Sequence, residues 1–200
     1  MKATPDAEEG LPAKIVTDEE LAAAVQKGDK EQFGLLVGRY EKKLFRYGRR
    51  FLSQKENVED VVQEVFIKTY QAIQSFDISQ RFSPWIYRIA HNMFVNAIKK
   101  NSRTPLSFID FDTLIAHPVY EETTISDEER AIMRKMIDRG LEHLSPAYRE
   151  ILILYYLEEL TYKEIADIIR VPIGTVGIRL KRSRDALKKA YDKLGVRYEE

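Results

Sequence analysis

The sequence predicts an all-α fold of two small helical domains joined by an acidic linker, and three observations predict it. Apolar residues recur at spacings of three and four through most of the chain, and no segment alternates at period two for long. Helix start and stop signals punctuate those runs at intervals typical of short helices. The stretch 101–126 interrupts the rhythm, with Pro105, Pro118, four threonines and no sustained period.

Residues 1–16 read as a loose polar tail. Thr17 and Glu20 then form a capping box, and the short helix it starts ends at Lys27-Gly28. Asp29 can cap a second helix whose inward positions are Phe33, Leu36, Val37, Tyr40, Leu44, Tyr47 and Phe51. Asn57 can cap a third, with Val58, Val61, Val62, Val65, Phe66 and Tyr70 inward. Ser83-Pro84 starts a fourth, because proline suits the first helical position. That helix carries Trp85, Ile86, Ile89, Ala90, Phe94, Val95 and Ile98 as far as Lys100. The segment 103–126 is the linker, although Phe108, Ile109, Phe111, Leu114 and Ile115 need some surface to lie on. Helices resume near Ser126-Asp127, restart at Ser145-Pro146, and restart again at a second capping box, Thr161 with Glu164.

Net charge is zero over 200 residues, but the charge is sorted. Residues 1–26 hold two cations and six anions, 27–103 fifteen and eight, 104–129 none and seven, and 130–200 fifteen and eleven. Two basic blocks separated by an acidic one point to a polyanionic partner. Cysteine is absent, which excludes disulfides and thiolate metal sites and fits the cytoplasm. The N-terminus lacks the pattern of a signal or transit peptide, and no apolar run approaches a membrane span. No cysteine nucleophile, glycine-rich phosphate loop or paired metal-spaced histidine is present. The expectation is therefore a protein that is not an enzyme, with no cofactor, metal, membrane or small-molecule substrate.

The strongest local signal is Thr161 to Tyr191. Two short helices meet across Ile169-Arg170-Val171, with Ile165, Ala166, Ile168, Val171 and Val176 as their shared core. This is helix-turn-helix spacing, in which the second helix enters a DNA major groove. Arg179, Lys181, Arg182, Arg184, Lys188 and Lys189 then place cations where phosphates would lie. A solvated basic helix is the plainer alternative.

Here the sequence resembles a family. Leu160-Thr-Tyr-Lys-Glu-Ile-Ala and Val171-Pro-Ile-Gly-Thr-Val, followed by Arg179-Leu-Lys-Arg-Ser-Arg, look like region 4 of extracytoplasmic-function (ECF) sigma factors of the sigma-70 family. Asn57 to Phe66 resembles the region 2 segment that docks on RNA polymerase, and Phe82 to Asn92 the segment that melts and reads the −10 element. The resemblance implies region 2 over 17–102 and region 4 over 127–200. It implies core RNA polymerase and promoter DNA as partners, with an anti-sigma protein as a further one.

By resemblance, Asp60, Gln63 and Glu64 meet the β′ coiled coil, while part of region 4 meets the β flap. For the −10 element the candidates are Phe76, Asp77, Ser79, Arg81, Phe82, Trp85, Arg88, His91, Asn92, Asn96, Lys99 and Lys100. Aromatic faces, base-reading amides and cations are what trap unstacked bases. In this family the loop Asp77 to Arg81 tends to hold a flipped base. Phe94 reads as core, Trp85 fits either core or DNA, and His91 reads as a surface residue beside DNA. The linker either threads the polymerase's template and RNA-exit path or is a tether made soluble by charge.

For the −35 element the candidates are Thr175, Gly177, Ile178, Arg179, Lys181, Arg182 and Arg184. Gly177 and Ile178 stand where many relatives carry a long polar residue and a serine, and neither offers a donor to a base edge. Arg170 stands where glycine is usual, and a left-handed backbone there would strain it. Two other readings fit parts of the chain. A stand-alone helix-turn-helix regulator would bind duplex DNA without polymerase, but would need neither the Asp60-Gln63-Glu64 face nor the −10 segment. A protein that binds only other proteins leaves the charge sorting unexplained.

Overall fold

The computed structural model describes residues 16–52, 54–101 and 126–193, and every regular element among them is helical. The expected tail and linker, apart from Val16 and Ser126, lie outside the described residues.

The first domain has four helices: α1 (Asp18–Gln26), α2 (Glu31–Gly48), α3 (Lys55–Ala72) and α4 (Phe82–Asn101). Both halves of the first capping box form. Thr17 Oγ1 accepts from the Glu20 amide at 3.2 Å, and Glu20 Oε2 accepts from the Thr17 amide at 2.9 Å. Such a cap contributes about 1 kcal/mol. Gly28 ends α1 at φ 104°, a conformation open to glycine. Leu36, Tyr40, Leu44 and Tyr47 of α2 meet Val58, Val61, Val62, Val65 and Phe66 of α3 and Ile86, Ala90 and Phe94 of α4 in one core. Gly48 is required there, because a methyl group at its position would collide with the Phe94 ring and with Val58.

Several boundaries differ from the sequence reading. Asn57 lies inside α3 rather than capping it, and its side chain donates to Gln54 Oε1 at 2.8 Å. Asp29 accepts from the Gln32 side chain, and no side chain caps α2. Phe82, not Ser83-Pro84, opens α4, because the Phe82 amide is already engaged by Glu19 Oε1 at 2.8 Å. Tyr70 is exposed rather than inward.

The second domain comprises α5 (Asp127–Gly140), α6 (Pro146–Leu152), α7 (Tyr162–Ile169) and α8 (Ile173–Lys193). Ser126 caps α5, Pro146 occupies the first turn of α6, and Thr161 with Glu164 completes the second capping box. Ile137, Leu144, Ile151, Ile165, Val176, Leu180 and Leu187 form the core, and Tyr191 seals it by donating to Met136 O at 2.8 Å. Arg170 lies between α7 and α8 at φ 56°, ψ 52°, the left-handed conformation that disfavours arginine.

A π-helical turn, Ile153–Leu157, follows α6. Its wider ring leaves carbonyls without ordinary helical partners. Arg134 Nε donates to Tyr156 O at 2.8 Å and Arg130 Nη1 to Tyr155 O at 3.4 Å. The chain then turns through Glu158 and Glu159, the latter at φ 55° and paired with Arg134. The turn aims Glu158 away from its own domain. Residues from Glu150 to Ile168 are thereby laid against α2 and α4, so the two domains pack on each other.

Candidate nucleic-acid interface and the contact between the domains

The loop between α3 and α4 is pinned at both ends by α1. Gln26 Nε2 donates to Ile73 O at 2.7 Å and Phe76 O at 2.8 Å, and Glu19 receives the Phe82 amide. Between these anchors Asp77, Ile78, Ser79, Gln80 and Arg81 are exposed. Asp77 Oδ1 accepts from the amide and hydroxyl of Ser79 at 3.0 and 2.8 Å. Those two bonds, the backbone one foremost, hold the Asp77 carboxyl below its ordinary pKa. The loop is thus a preformed turn with an ionised edge facing solvent.

Along α4, Trp85, Arg88, Asn92, Asn96 and Lys99 follow at spacings of three and four, which places them on one stripe of the helix. Arg88, Asn96, Lys99 and Lys100 are exposed, while Trp85 and Asn92 are half-buried. Trp85 packs its ring on Phe76 and Phe82 at centroid distances of 5.0 and 5.5 Å. Phe76 and Phe82 are themselves buried, at 5% and 0% exposure, and only the edge of Phe76 reaches the cavity that Trp85 lines. They are corrected from DNA candidates to core residues that support Trp85. His91 is also corrected. It lies about a quarter-turn from the stripe, and its Nδ1 stands 3.0 Å from Glu150 Oε1 of the second domain.

On α8, Lys181 is exposed, and Thr175, Ile178, Arg179, Arg182 and Arg184 are half-buried. Gly177 is buried within α8 and has no side chain to offer a base edge. Arg184 lies beside the Tyr156 hydroxyl. Burial raises that tyrosine's pKa, and the Arg184 charge partly opposes the rise.

On α3, Asp60, Gln63 and Glu64 are all exposed. Gln63 also lines a groove between α2 and α3 floored by Val37, Phe45, Val62, Phe66 and Ile67. Ile67, 56% exposed, extends an apolar strip beside the acidic face. The sequence reading missed this strip, although an isoleucine at a polar helical position was its signal.

The contact between the domains has three parts. In the first, Glu150 enters the first domain: Tyr47 Oη donates to its Oε1 at 2.6 Å, His91 Nδ1 lies 3.0 Å away, and Arg50 Nη2 3.9 Å. Arg50 is buried with its guanidinium 3.6 Å above the Tyr47 ring centre. In the second, the buried Glu158 meets Arg46 Nη2 at 3.3 Å and Lys43 Nζ at 3.4 Å, beside the buried Tyr87 hydroxyl. In the third, Glu164, already the capping residue of α7, takes Arg81 Nη1 at 3.0 and 3.1 Å. That pair lines a cleft of about 300 Å³ whose wall also includes Asp77, Trp85 and Arg88 from one domain and Asp167 and Ile168 from the other. None of these carboxylates was singled out for this role from sequence.

No group of three or more histidine, aspartate or glutamate residues among the described residues is arranged to hold a metal, and no described helix is long and apolar enough to cross a membrane. Residues 36–104 match the family described as Sigma-70 region 2, and residues 134–187 the family described as Sigma-70, region 4. The chain is 34% identical over 176 residues to the ECF RNA polymerase sigma factor SigW of Bacillus subtilis, covering 82% of this chain and 91% of that protein. It is 37% identical over 185 residues to the ECF RNA polymerase sigma-E factor of Escherichia coli K12, covering 86% and 93%. In fold it is similar to CnrH, solved in complex with the cytosolic domain of CnrY, with a TM-score of 0.59 at 23% identity over 88% of this chain and 97% of that one.

Proposed function

The chain belongs to the ECF group of the sigma-70 family, and from that premise we propose that it binds core RNA polymerase in the cytoplasm and directs initiation at promoters carrying its own −10 and −35 elements. The observation that carries the reading is the α4 stripe beside a preformed loop. A stand-alone duplex binder would have no use for it.

Each part has a physical task. The acidic and amide face of Asp60, Gln63 and Glu64 is the contact for the β′ coiled coil, and the second domain supplies the contact for the β flap. On the −10 element, the loop from Asp77 to Arg81 takes an unstacked base, with Asp77 and Ser79 as hydrogen-bonding groups. Trp85 offers an aromatic face, Asn92 and Asn96 read base edges, and Arg88, Lys99 and Lys100 follow the backbone. On the −35 duplex, α8 lies in the major groove. Thr175 and Ile178 are placed for base edges, and Arg179, Lys181, Arg182 and Arg184 for phosphates. An anti-sigma protein is the further partner expected of such a chain.

Size-exclusion chromatography with core polymerase tests the docking face. The wild-type chain comigrates with core, and a variant with Asp60, Gln63 and Glu64 all changed to Ala, still helical by circular dichroism, elutes alone. Comigration of that variant undiminished contradicts the assignment.

A further inference from the structure

The loop 77–81 is held at its two hinges by a helix that is not part of it. Gln26, at the end of α1, directs its side-chain amide to the carbonyls of Ile73 and Phe76, at 2.7 and 2.8 Å, and Gln74 Nε2 donates back to Gln26 O at 3.2 Å. Glu19, in the first turn of α1, accepts from the Phe82 amide at 2.8 Å. That amide stands at the first position of α4, where a helix offers no partner of its own. The carboxylate satisfies it and meets the positive end of the helix dipole. Phe76 and Phe82 are the residues immediately before and after the loop, and their rings are the floor on which Trp85 rests. The helix that grips them is itself fixed. Leu21, Ala22 and Val25 are buried in the core, and Asp18 accepts from Tyr40 Oη at 2.6 Å and from Arg39 Nη1 at 2.5 Å, both on α2. The grip is therefore carried by the folded domain and not by the loop's own turn.

We propose that Gln26 and Glu19 are positioning residues of −10 reading: without contacting DNA, they set how readily the loop takes a base and how sharply it discriminates between bases. The proposal rests on reading the loop 77–81 as the part of the −10 reader that captures a base. A loop already held in one conformation loses little freedom when a base enters it. It also presents Asp77 and Ser79 at fixed positions, so a wrong base leaves them without partners. Released hinges raise the ordering cost and let the loop adapt to wrong bases. The face of Asp60, Gln63 and Glu64 on α3 takes part in none of these bonds, so association with core polymerase does not depend on them.

Gln26→Met with Glu19→Met keeps side-chain length and removes both the donor and the acceptor. The assay is permanganate footprinting with holoenzyme on a promoter located by RNA 5′-end mapping and on its single-base −10 variants, with core association measured in parallel. The double variant is expected to comigrate with core as the wild type does and to open the parent promoter about tenfold less. The spread between that promoter and its −10 variants is expected to shrink at least about threefold. Gln26→Lys with Glu19→Gln keeps a donor and an acceptor, and is expected to lie within about twofold of the wild type. Should the double methionine variant fail to fold, each single methionine substitution is measured instead, with about threefold loss of opening expected. Asp77→Ala separates the two ideas. Loss of opening in Asp77→Ala, with opening and discrimination intact in the methionine variants, overturns the positioning role and leaves the loop assignment standing. An equal loss on every −10 variant, or no rescue by the Lys and Gln pair, makes α1 a structural support only and also overturns it. Undiminished opening in Asp77→Ala, or no promoter to open, removes the −10 assignment and the proposal with it.

Discussion

Tyr47 donates its phenol hydrogen to Glu150 Oε1 at 2.6 Å, joining two domains through residues 103 positions apart in sequence. Burial alone would push the Glu150 carboxyl up, but His91, Arg50 and Tyr47 outweigh burial and hold it below the ordinary carboxylate range. A carboxyl lowered in this way supports the folded, closed chain above its ordinary pKa and withdraws that support as pH falls through the lowered value. Tyr47→Phe removes one donor from a buried carboxylate and costs about 1–3 kcal/mol in urea denaturation at neutral pH. The same deficit is expected for Glu150→Gln, and the gap between that variant and the wild type closes below about pH 4. A gap that stays constant from pH 7 into acid contradicts the role given to the charge.

Arg170 holds a left-handed backbone that costs a non-glycine residue about 1–2 kcal/mol. Arg170→Gly removes that strain and gives back part of it as unfolded-state entropy. The variant should melt about 2–4 °C higher than the parent in calorimetry if the net gain is near 1 kcal/mol. An unchanged or lower melting temperature shows that the arginine side chain makes a compensating contact.

Trp85 rests on two core phenylalanines with one face left toward the cavity. Trp85→Ala is expected to retain comigration with core polymerase and to reduce promoter opening by about 10–100-fold, since stacking on one base contributes about 1–3 kcal/mol. Permanganate footprinting of the melted region reads this directly. Equal footprints for variant and wild type remove Trp85 from the −10 reader.

The recognition helix has few groups able to read bases, because Gly177 is buried and Ile178 has no donor. Arg182→Ala should therefore weaken holoenzyme binding evenly across a set of −35 variants and lower the salt slope by about one unit. A change in the ranking of those variants would make Arg182 a base reader instead.

How far the sequence reached differs from element to element. Thr17 with Glu20 and Thr161 with Glu164 were legible because a capping box is local chemistry, and both formed. The strain at Arg170 was legible for the same reason. Phe76 and Phe82 were misassigned because an aromatic residue beside a loop has the same spacing whether it faces a base or a core. His91 was placed beside DNA because nothing within α4 announces a partner 59 residues away. Glu150 and Glu158 were invisible for a related reason: each is one carboxylate near an apolar run, and its meaning lies in a socket on the other domain. The π-helical turn that aims Glu158 has no periodicity of its own to read.

The central claim is tested most directly by transcription from fragmented genomic DNA with purified core polymerase, with and without this protein, followed by mapping of RNA 5′ ends. The account predicts new start sites that appear only with the protein and share two sequence elements upstream at constant spacing. No new start sites, together with failure to associate with core, would contradict it.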